Sequence, residues 1–310
     1  FLNHLIVPPG YVDDVNDIPF PNRKYIRHIN YNSVIGVSAK LATMITSRGC
    51  PYKCTFCDVP YKRYRETAIE KVMDEIEDCL ALGYEEFHFY DDLFNMTSEK
   101  VIVFCEALKK RKLNIVWGFR GRVNDVDYES LKIAKETGCR MISFGVETGT
   151  DEGLRVLRKG IRVEQIKKVY NWCRELGIKT MANFMIGLPH EKTEQDVLDN
   201  IKFLISLNSD YALINIMNLY PHTQVYNEAV KKGLIKNGEW EEFCLNPSSS
   251  FKVSHWTEFL SEKQLVKLHR QSYRMFYVYR PKYIFKSVIN TRSIHEFKSK
   301  TDGFKKLIFG

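Results

Sequence analysis

The chain has 310 residues, of which 44% are hydrophobic and 27% charged, so it can bury the core of one large domain or two ordinary ones. Its net charge of +8 is spread along the sequence, which indicates a solvated basic surface. Attraction to an anionic substrate, a membrane or a nucleic acid is the alternative, but no stacked-aromatic basic motif supports a nucleic-acid partner. No apolar run approaches the roughly 20 residues of a membrane span, and the first residues lack the features of a signal peptide.

Residues 1–35 have the composition of a linker. Pro8, Pro9, Pro19 and Pro21 stand among Asp and Asn residues, a mixture that favours turns over helices or strands. Because the chain also begins with Phe rather than Met, we expect this segment to follow a further domain upstream.

Six short runs rich in apolar, β-branched and aromatic residues predict β-strands. Each run is too short and too apolar to be a surface helix, and runs that are apolar on both faces are typical of parallel sheets. The predicted strands cover residues 42–47, 86–91, 114–119, 140–146, 179–187 and 211–220.

Amphipathic helical patterns fill the intervals between these strands; Thr193 and Asp196, for example, form a capping box at the start of one helix. Alternating strands and helices predict an α/β fold in which residues 36–234 form a partial (β/α)6 TIM-like barrel. Such a barrel carries its chemistry at the C-terminal ends of the strands. A flat doubly wound sheet is the alternative, but no GxGxxG motif follows the first strand.

Residues 235–310 break this alternation. Ser261 and Gln264 predict a capping box for a helix that runs to about Arg280, and Pro281 ends it. Further amphipathic segments follow, so we expect a C-terminal helical extension packed on the barrel.

The stretch TSRGCPYKCTFCDVPY places Cys50, Cys54 and Cys57 directly after the first predicted strand. Gly49 and Pro51 indicate a loop, not a helix with a buried cysteine stripe. Structural zinc needs four protein ligands, and the sequence contains no second pair of closely spaced cysteines. Three thiolates suit an iron–sulfur cluster in which one iron has no protein ligand.

Eight cysteines in a chain without a secretion signal indicate reduced thiols or metal ligands, and therefore a cytoplasmic location. Outside the trio the cysteines are isolated from one another. Four of them lie near predicted helix–strand junctions, where a small apolar residue packs well, and we expect them in the core: Cys79, Cys105, Cys139 and Cys173.

The C-x3-C-x2-C motif after the first barrel strand, with Phe56 before the third cysteine, resembles the radical S-adenosylmethionine superfamily. The resemblance implies that the three cysteines hold a [4Fe–4S] cluster whose fourth iron binds the amino and carboxyl groups of S-adenosylmethionine. The reduced cluster would cleave this molecule to methionine and a 5′-deoxyadenosyl radical. A small-molecule substrate and a one-electron reductant, such as a flavodoxin or ferredoxin, are the implied partners.

Residues at other predicted strand ends match the cofactor site of that family. Asp91 and Asp92 in FYDD stand where the family has a GGE-like motif that contacts the methionine amino group, although the residue types differ. Glu147 in FGVETG matches an acidic residue that meets the ribose or the amino-acid end. Arg120 or Arg122 in GFRGR is expected to pair with the S-adenosylmethionine carboxylate or with Glu147.

The stretch FMIGLPHE, with Gly187, is similar to a motif that lines the adenine in the family. His190 and His222 replace the Gly that is usual in their loops, and both loops are expected near the pocket. The resemblance assigns a catalytic role to no protein side chain, because the cofactors carry the chemistry.

Several segments, among them PFPNR, GLPHE and YRPKYI, resemble the branch that usually carries an N-terminal cobalamin-binding domain. Cobalamin-dependent C-methylation is common in that branch, and ring-forming or rearranging reactions are the alternative. Cobalamin is implied by this kinship alone, because the sequence has no DxHxxG motif. The helical C-terminus argues against methylthiotransferases. A non-catalytic iron–sulfur electron carrier or redox sensor is the alternative from another class.

Overall fold

The computed structural model describes residues 12–29, 35–60 and 62–281, together with the single positions 285, 289, 297 and 301. Part of the predicted linker and most of the amphipathic segments predicted after Pro281 lie outside these residues. Within the described part, no helix combines the length and apolar composition that crossing a membrane demands.

The predicted strands are confirmed, and each ends within a few residues of its predicted limit. The strands are β1 (Leu41–Met44), β2 (Ser47–Arg48), β3 (Arg65–Glu66), β4 (Glu86–Phe89), β5 (Val116–Gly121), β6 (Cys139–Glu147), β7 (Lys179–Ile186) and β8 (Tyr211–Ile216). The end of the first predicted strand instead pairs with β3 as the separate ribbon β2–β3.

Six strands form one parallel sheet in the order β1–β4–β5–β6–β7–β8. The order follows the chain without reversal, whereas a doubly wound sheet reverses at a switch point. The prediction of a partial barrel is therefore confirmed. The C-terminal ends of all six strands meet at one rim, which we call the mouth.

Helices lie between the strands and after the last of them. They are α1 (Ile69–Ala81), α2 (Ser98–Lys110), α3 (Tyr128–Glu136), α4 (Asp151–Val156), α5 (Val163–Glu175), α6 (Glu194–Ser206), α7 (Gln224–Lys231), α8 (Glu239–Leu245) and α9 (Glu262–Tyr273). The predicted capping boxes of α6 and α9 are both present. Helix α9 continues into a π-helical turn, Arg274–Val278.

The convex face of the sheet carries the hydrophobic core. Successive strand residues point to opposite faces, so Phe87 and Phe89 are buried against the helices. Phe89 packs edge-on against Phe104 of α2 and against Trp117, with ring centroids 5.1 and 6.1 Å apart. Other residues near the strand ends, such as Tyr90, line the concave face and are partly exposed.

The open edge at β8 is covered by side chains of the C-terminal helix. Tyr277 donates its hydroxyl hydrogen to the carbonyl oxygen of Ala212 at 2.8 Å and accepts the Ala212 N–H at 2.9 Å. One turn earlier, Tyr273 accepts the Ile214 N–H at 3.1 Å, and His269 Nε2 donates to the Ile214 carbonyl oxygen at 2.8 Å. Three side chains spaced four residues apart thus replace the hydrogen bonds of a seventh strand.

The opposite edge, at β1, is covered by residues 12–29, which we call the N-terminal strap. Buried Arg23 donates to the Thr43 carbonyl oxygen at 2.9 Å and to Glu75 of α1 at 2.7 Å. Asn16 accepts the N–H of Ala68 at 2.7 Å and so caps α1, whose own N-cap residue is an alanine. The described part of the predicted linker is therefore packed on the barrel.

We expect Tyr277→Phe to lower the free energy of unfolding by about 1–3 kcal/mol, because the Ala212 N–H and carbonyl groups lose their partner. Urea denaturation of both proteins measures the difference. Tyr279→Phe is the matched control, since Tyr279 is 65% exposed. Equal stability of the two variants would contradict the edge-covering role of Tyr277.

Candidate functional site

The first mouth loop, residues 49–60, carries the three predicted ligands and is fixed at its start by two aspartates. Asp91 is buried and accepts the Thr46 N–H and hydroxyl at 2.5 and 2.7 Å and the Ser47 N–H at 3.2 Å. Asp92 is exposed and accepts the N–H of Gly49 at 2.8 Å. Gly49 has φ of +86°, a conformation that favours glycine. These carboxylates therefore set where the loop begins.

The middle of the loop is held between two other mouth segments. The Thr55 N–H donates to the carbonyl oxygen of Leu157, directly after α4, at 3.0 Å. The Thr55 carbonyl oxygen accepts the N–H of Val225 in α7 at 3.1 Å. The Cys57 N–H turns back to the Cys54 carbonyl oxygen at 3.3 Å. The spacing of the cysteines is thus set by backbone hydrogen bonds.

The three loop cysteines differ from the others in exposure. Cys50, Cys54 and Cys57 are half-buried thiols without disulfide bonds. Burial raises the pKa of the Cys50 and Cys57 thiols, although backbone N–H groups oppose the rise in both. The four cysteines predicted to lie in the core are indeed buried: Cys79, Cys105, Cys139 and Cys173.

Glu147 lies at the end of β6 in a backbone conformation that is rare for its residue type. Its φ is +69°, and the pairing of β6 with β7 shifts register between Gly145 and Glu147. Lys159 Nζ donates to Glu147 Oε1 at 2.8 Å, and the two side chains are only 7% and 10% exposed. A Cβ at Gly145 would lie 2.5 Å from Glu147 Oε1 and 2.7 Å from Lys159 Nζ. The glycine therefore makes room for the ion pair.

The prediction that Arg120 or Arg122 pairs with Glu147 is wrong, because Lys159 is the residue that pairs with Glu147. The exposed guanidinium of Arg120 stacks on the ring of Tyr90 at 4.1 Å, on the concave face. Sequence reasoning missed Lys159 because it pairs with a strand end twelve residues earlier and belongs to no motif. Phe56, the aromatic residue of the cysteine motif, is half-buried beside the same lysine. The distance from Lys159 Nζ to the centroid of its ring is 5.9 Å.

A buried polar network joins the mouth loops after β6 and β7. Asn200 of α6 accepts the Gly149 N–H at 2.8 Å and the Thr148 hydroxyl at 3.1 Å, and donates to Glu191 at 2.6 Å. Burial raises the pKa of the Glu191 carboxyl to about 7. The His190 ring lies against Gly153, where a Cβ would approach it to 2.5 Å.

The remaining predicted positions lie at the same rim but make different contacts. Gly187 has φ of +73°, and a Cβ there would lie 3.0 Å from the Leu265 side chain of α9. His222 has φ of +64° and is exposed. The loop that carries both Gly187 and His190 is thus held in place largely by packing and by the hydrogen bonds of Asn200.

The donor set of the loop fits an iron–sulfur cluster. Among the described residues, no three His, Cys, Asp or Glu side chains are close enough to hold one metal ion. A single-ion zinc site needs four ligands around one atom. A cluster makes a different demand, because each thiolate binds an iron of its own. The loop offers three half-buried thiols, one for each of three irons.

Comparisons with known proteins show which family the chain resembles. The family model described as Radical SAM superfamily matches residues 44–204. An uncharacterized methyltransferase of Pyrococcus horikoshii is 30% identical over 286 residues, covering 91% of this chain and 60% of that protein. An anaerobic magnesium-protoporphyrin IX monomethyl ester cyclase of Rubrivivax gelatinosus is 30% identical over 202 residues, covering 63% of this chain and 36% of the cyclase. The chain thus spans about three fifths or less of these two relatives.

Among solved structures, the radical S-adenosylmethionine methyltransferase TsrM of Kitasatospora setae, with tryptophan and a SAM analog bound, has a similar fold. The TM-score is 0.58 at 23% sequence identity, and the match covers 68% of this chain and 40% of TsrM. At this identity the likeness shows the fold alone.

We expect Lys159→Met to lower the free energy of unfolding by about 3–5 kcal/mol, because it leaves the Glu147 carboxylate buried without a partner. The double variant Lys159→Met/Glu147→Gln removes the orphaned charge and should recover part of that loss. Urea denaturation of both single variants and the double variant forms a double-mutant cycle. Strictly additive effects would contradict a coupled pair.

The raised pKa of Glu191 predicts a pH dependence of stability. A carboxyl whose folded pKa of about 7 exceeds its unfolded value of 4.5 contributes stability below pH 4.5 and loses it as pH rises through 7. The stability of the wild type relative to Glu191→Gln should therefore fall by roughly 3 kcal/mol at most over that window. Urea titrations at several pH values measure the difference, and a flat profile would contradict the raised pKa.

Proposed function

The chain belongs to the radical SAM superfamily, and on this premise we propose that it uses a [4Fe–4S] cluster and S-adenosylmethionine to start radical chemistry. The observation that carries the proposal is the clamped loop with three half-buried thiols at the mouth of a half-barrel. Cys50, Cys54 and Cys57 would hold the cluster. When bound and reduced, the cluster supplies the electron that cleaves S-adenosylmethionine to methionine and a 5′-deoxyadenosyl radical.

The protein's own part is to bind, orient and exclude water. We propose that Phe56, Asp92 and Glu147 contact S-adenosylmethionine, since Phe56 lies in the cysteine loop and the two carboxylates lie at the same rim. Arg120 and Gly187 complete the proposed cofactor-binding set, from the concave face and the β7 loop. Both oxygens of Asp91 accept hydrogen bonds from Thr46 or Ser47, so Asp91 would act by holding the loop.

We further propose that the radical chemistry serves methyl transfer to a carbon atom, with cobalamin as the methyl carrier. The Pyrococcus relative is named an uncharacterized methyltransferase, which supports this choice. The substrate would be a small molecule that reaches the concave face. A flavodoxin or ferredoxin would supply the electron. The protein would be located in the cytoplasm, where thiols stay reduced.

Anaerobic reconstitution with iron and sulfide, followed by dithionite and S-adenosylmethionine, tests the radical step. We expect 5′-deoxyadenosine from the wild type, measured by chromatography and mass spectrometry. Replacing Cys50, Cys54 or Cys57 with Ala should abolish both the iron–sulfur absorbance and this product, because the cluster loses a ligand.

Cys244→Ala is the matched control, since this cysteine is exposed and lies outside the loop. It should retain both the absorbance and the product. A wild type that binds the cluster but forms no 5′-deoxyadenosine, with an electron paramagnetic resonance spectrum unchanged by S-adenosylmethionine, would reject the proposal in favour of an electron carrier.

A further inference from the structure

Arg122, directly after β5, places a buried guanidinium against the cysteine loop. The residue is 5% exposed, and its Nη1 donates to Cys54 Sγ at 3.7 Å. Its guanidinium carbon lies 3.6 Å from the centroid of the Tyr52 ring, inside the loop. Of the three loop thiols, Cys54 is the one that receives this hydrogen bond among the described residues.

The other guanidinium nitrogens hold the group in place. Nε donates to Asn124 Oδ1 at 3.2 Å, and Nη2 donates to the Lys159 carbonyl oxygen. Tyr52 donates its hydroxyl to Asp125 at 2.8 Å, and this carboxylate lies 3.8 Å from Arg122 Nε. The nitrogen that faces the sulfur is therefore aimed by contacts on the other two.

The backbone of Arg122 is fixed as well. Its N–H donates to Asn95 Oδ1 at 3.0 Å, and its carbonyl oxygen accepts from Asn95 Nδ2 at 2.9 Å. Gly121 lets the asparagine come this close, because a Cβ at Gly121 would lie 2.2 Å from Asn95 Oδ1. Backbone and side chain together give the guanidinium one position.

We propose that Arg122 is a positioning residue for the Cys54 thiolate and that its charge raises the reduction potential of a cluster held in the cysteine loop. The inference rests on the proposed function. Adding an electron makes a cluster more negative, so a cation that donates a hydrogen bond to a ligating sulfur stabilises the reduced form more than the oxidised form. Asp125 offsets part of that charge, which limits the effect.

The test compares Arg122→Gln and Arg122→Lys with the wild type after anaerobic reconstitution without S-adenosylmethionine. Iron and sulfide per chain measure loading, and a redox titration followed by electron paramagnetic resonance measures the one-electron midpoint potential. We expect Arg122→Gln to lower the equilibrium constant for reduction about tenfold, which is about 59 mV for one electron. The midpoint potential of Arg122→Lys should lie between those of the wild type and Arg122→Gln, since lysine keeps the charge but loses the oriented hydrogen bond to Cys54.

Arg155→Gln is the matched control, because it removes the same charge from an exposed position in the neighbouring α4. It should keep the potential and loading of the wild type. Tyr52→Leu is the second variant, in case Arg122→Gln does not fold. Tyr52→Leu keeps the Arg122 guanidinium but removes the aromatic ring on which it stacks. We expect it to lower the midpoint potential by less than Arg122→Gln does.

The outcomes separate this inference from the proposed function. A wild type that takes up no cluster rejects the proposed function and removes the basis of the inference. The inference is overturned if Arg122→Gln loads fully and keeps the wild-type potential. It is also overturned if both Arg122→Lys and Tyr52→Leu load fully and keep that potential. In either case the proposed function stands. A shift of equal size in Arg155→Gln also overturns it, because general charge would then explain the effect.

Discussion

An open half-barrel must satisfy the backbone groups along two free edges, and the rest of this structure depends on how it does so. A closed barrel has no edges, whereas here β1 and β8 each present N–H and carbonyl groups on one side. Arg23 of the N-terminal strap meets one edge, and His269, Tyr273 and Tyr277 meet the other. With these hydrogen-bond partners at both edges, the six strands can form an open sheet and need not close into a full barrel.

The candidate site is assembled at that rim from parts that are distant in sequence. The cysteine loop is hydrogen-bonded to Leu157 and Val225, and the residues beside it come from the ends of three other strands. The cysteine loop is therefore held by its neighbours at the rim as well as by its own turn. A site of this kind can keep its geometry while the loops that contact a substrate vary.

Sequence patterns predicted the strands because each is a short apolar run between turn residues, and they predicted the cysteine loop because three thiols among Gly and Pro have few structural uses. They could not give Lys159 as the partner of Glu147, since that pair depends on a register shift and on the space left by Gly145. They likewise gave no sign that tyrosines of a C-terminal helix cover β8. Both contacts join segments that are separate in the sequence, so neither hydrophobic periodicity nor the spacing of a motif indicates them.

The helix that covers β8 has a consequence for synthesis on the ribosome. His269 is made 53 residues after Ile216, the last residue of β8 (269 − 216 = 53), whereas the strap precedes β1. At about 5–20 residues per second, the nascent chain carries an uncovered strand for several seconds. The segment that covers β1 is already made when β1 emerges, whereas β8 would be open to chaperones or other nascent chains until α9 leaves the tunnel.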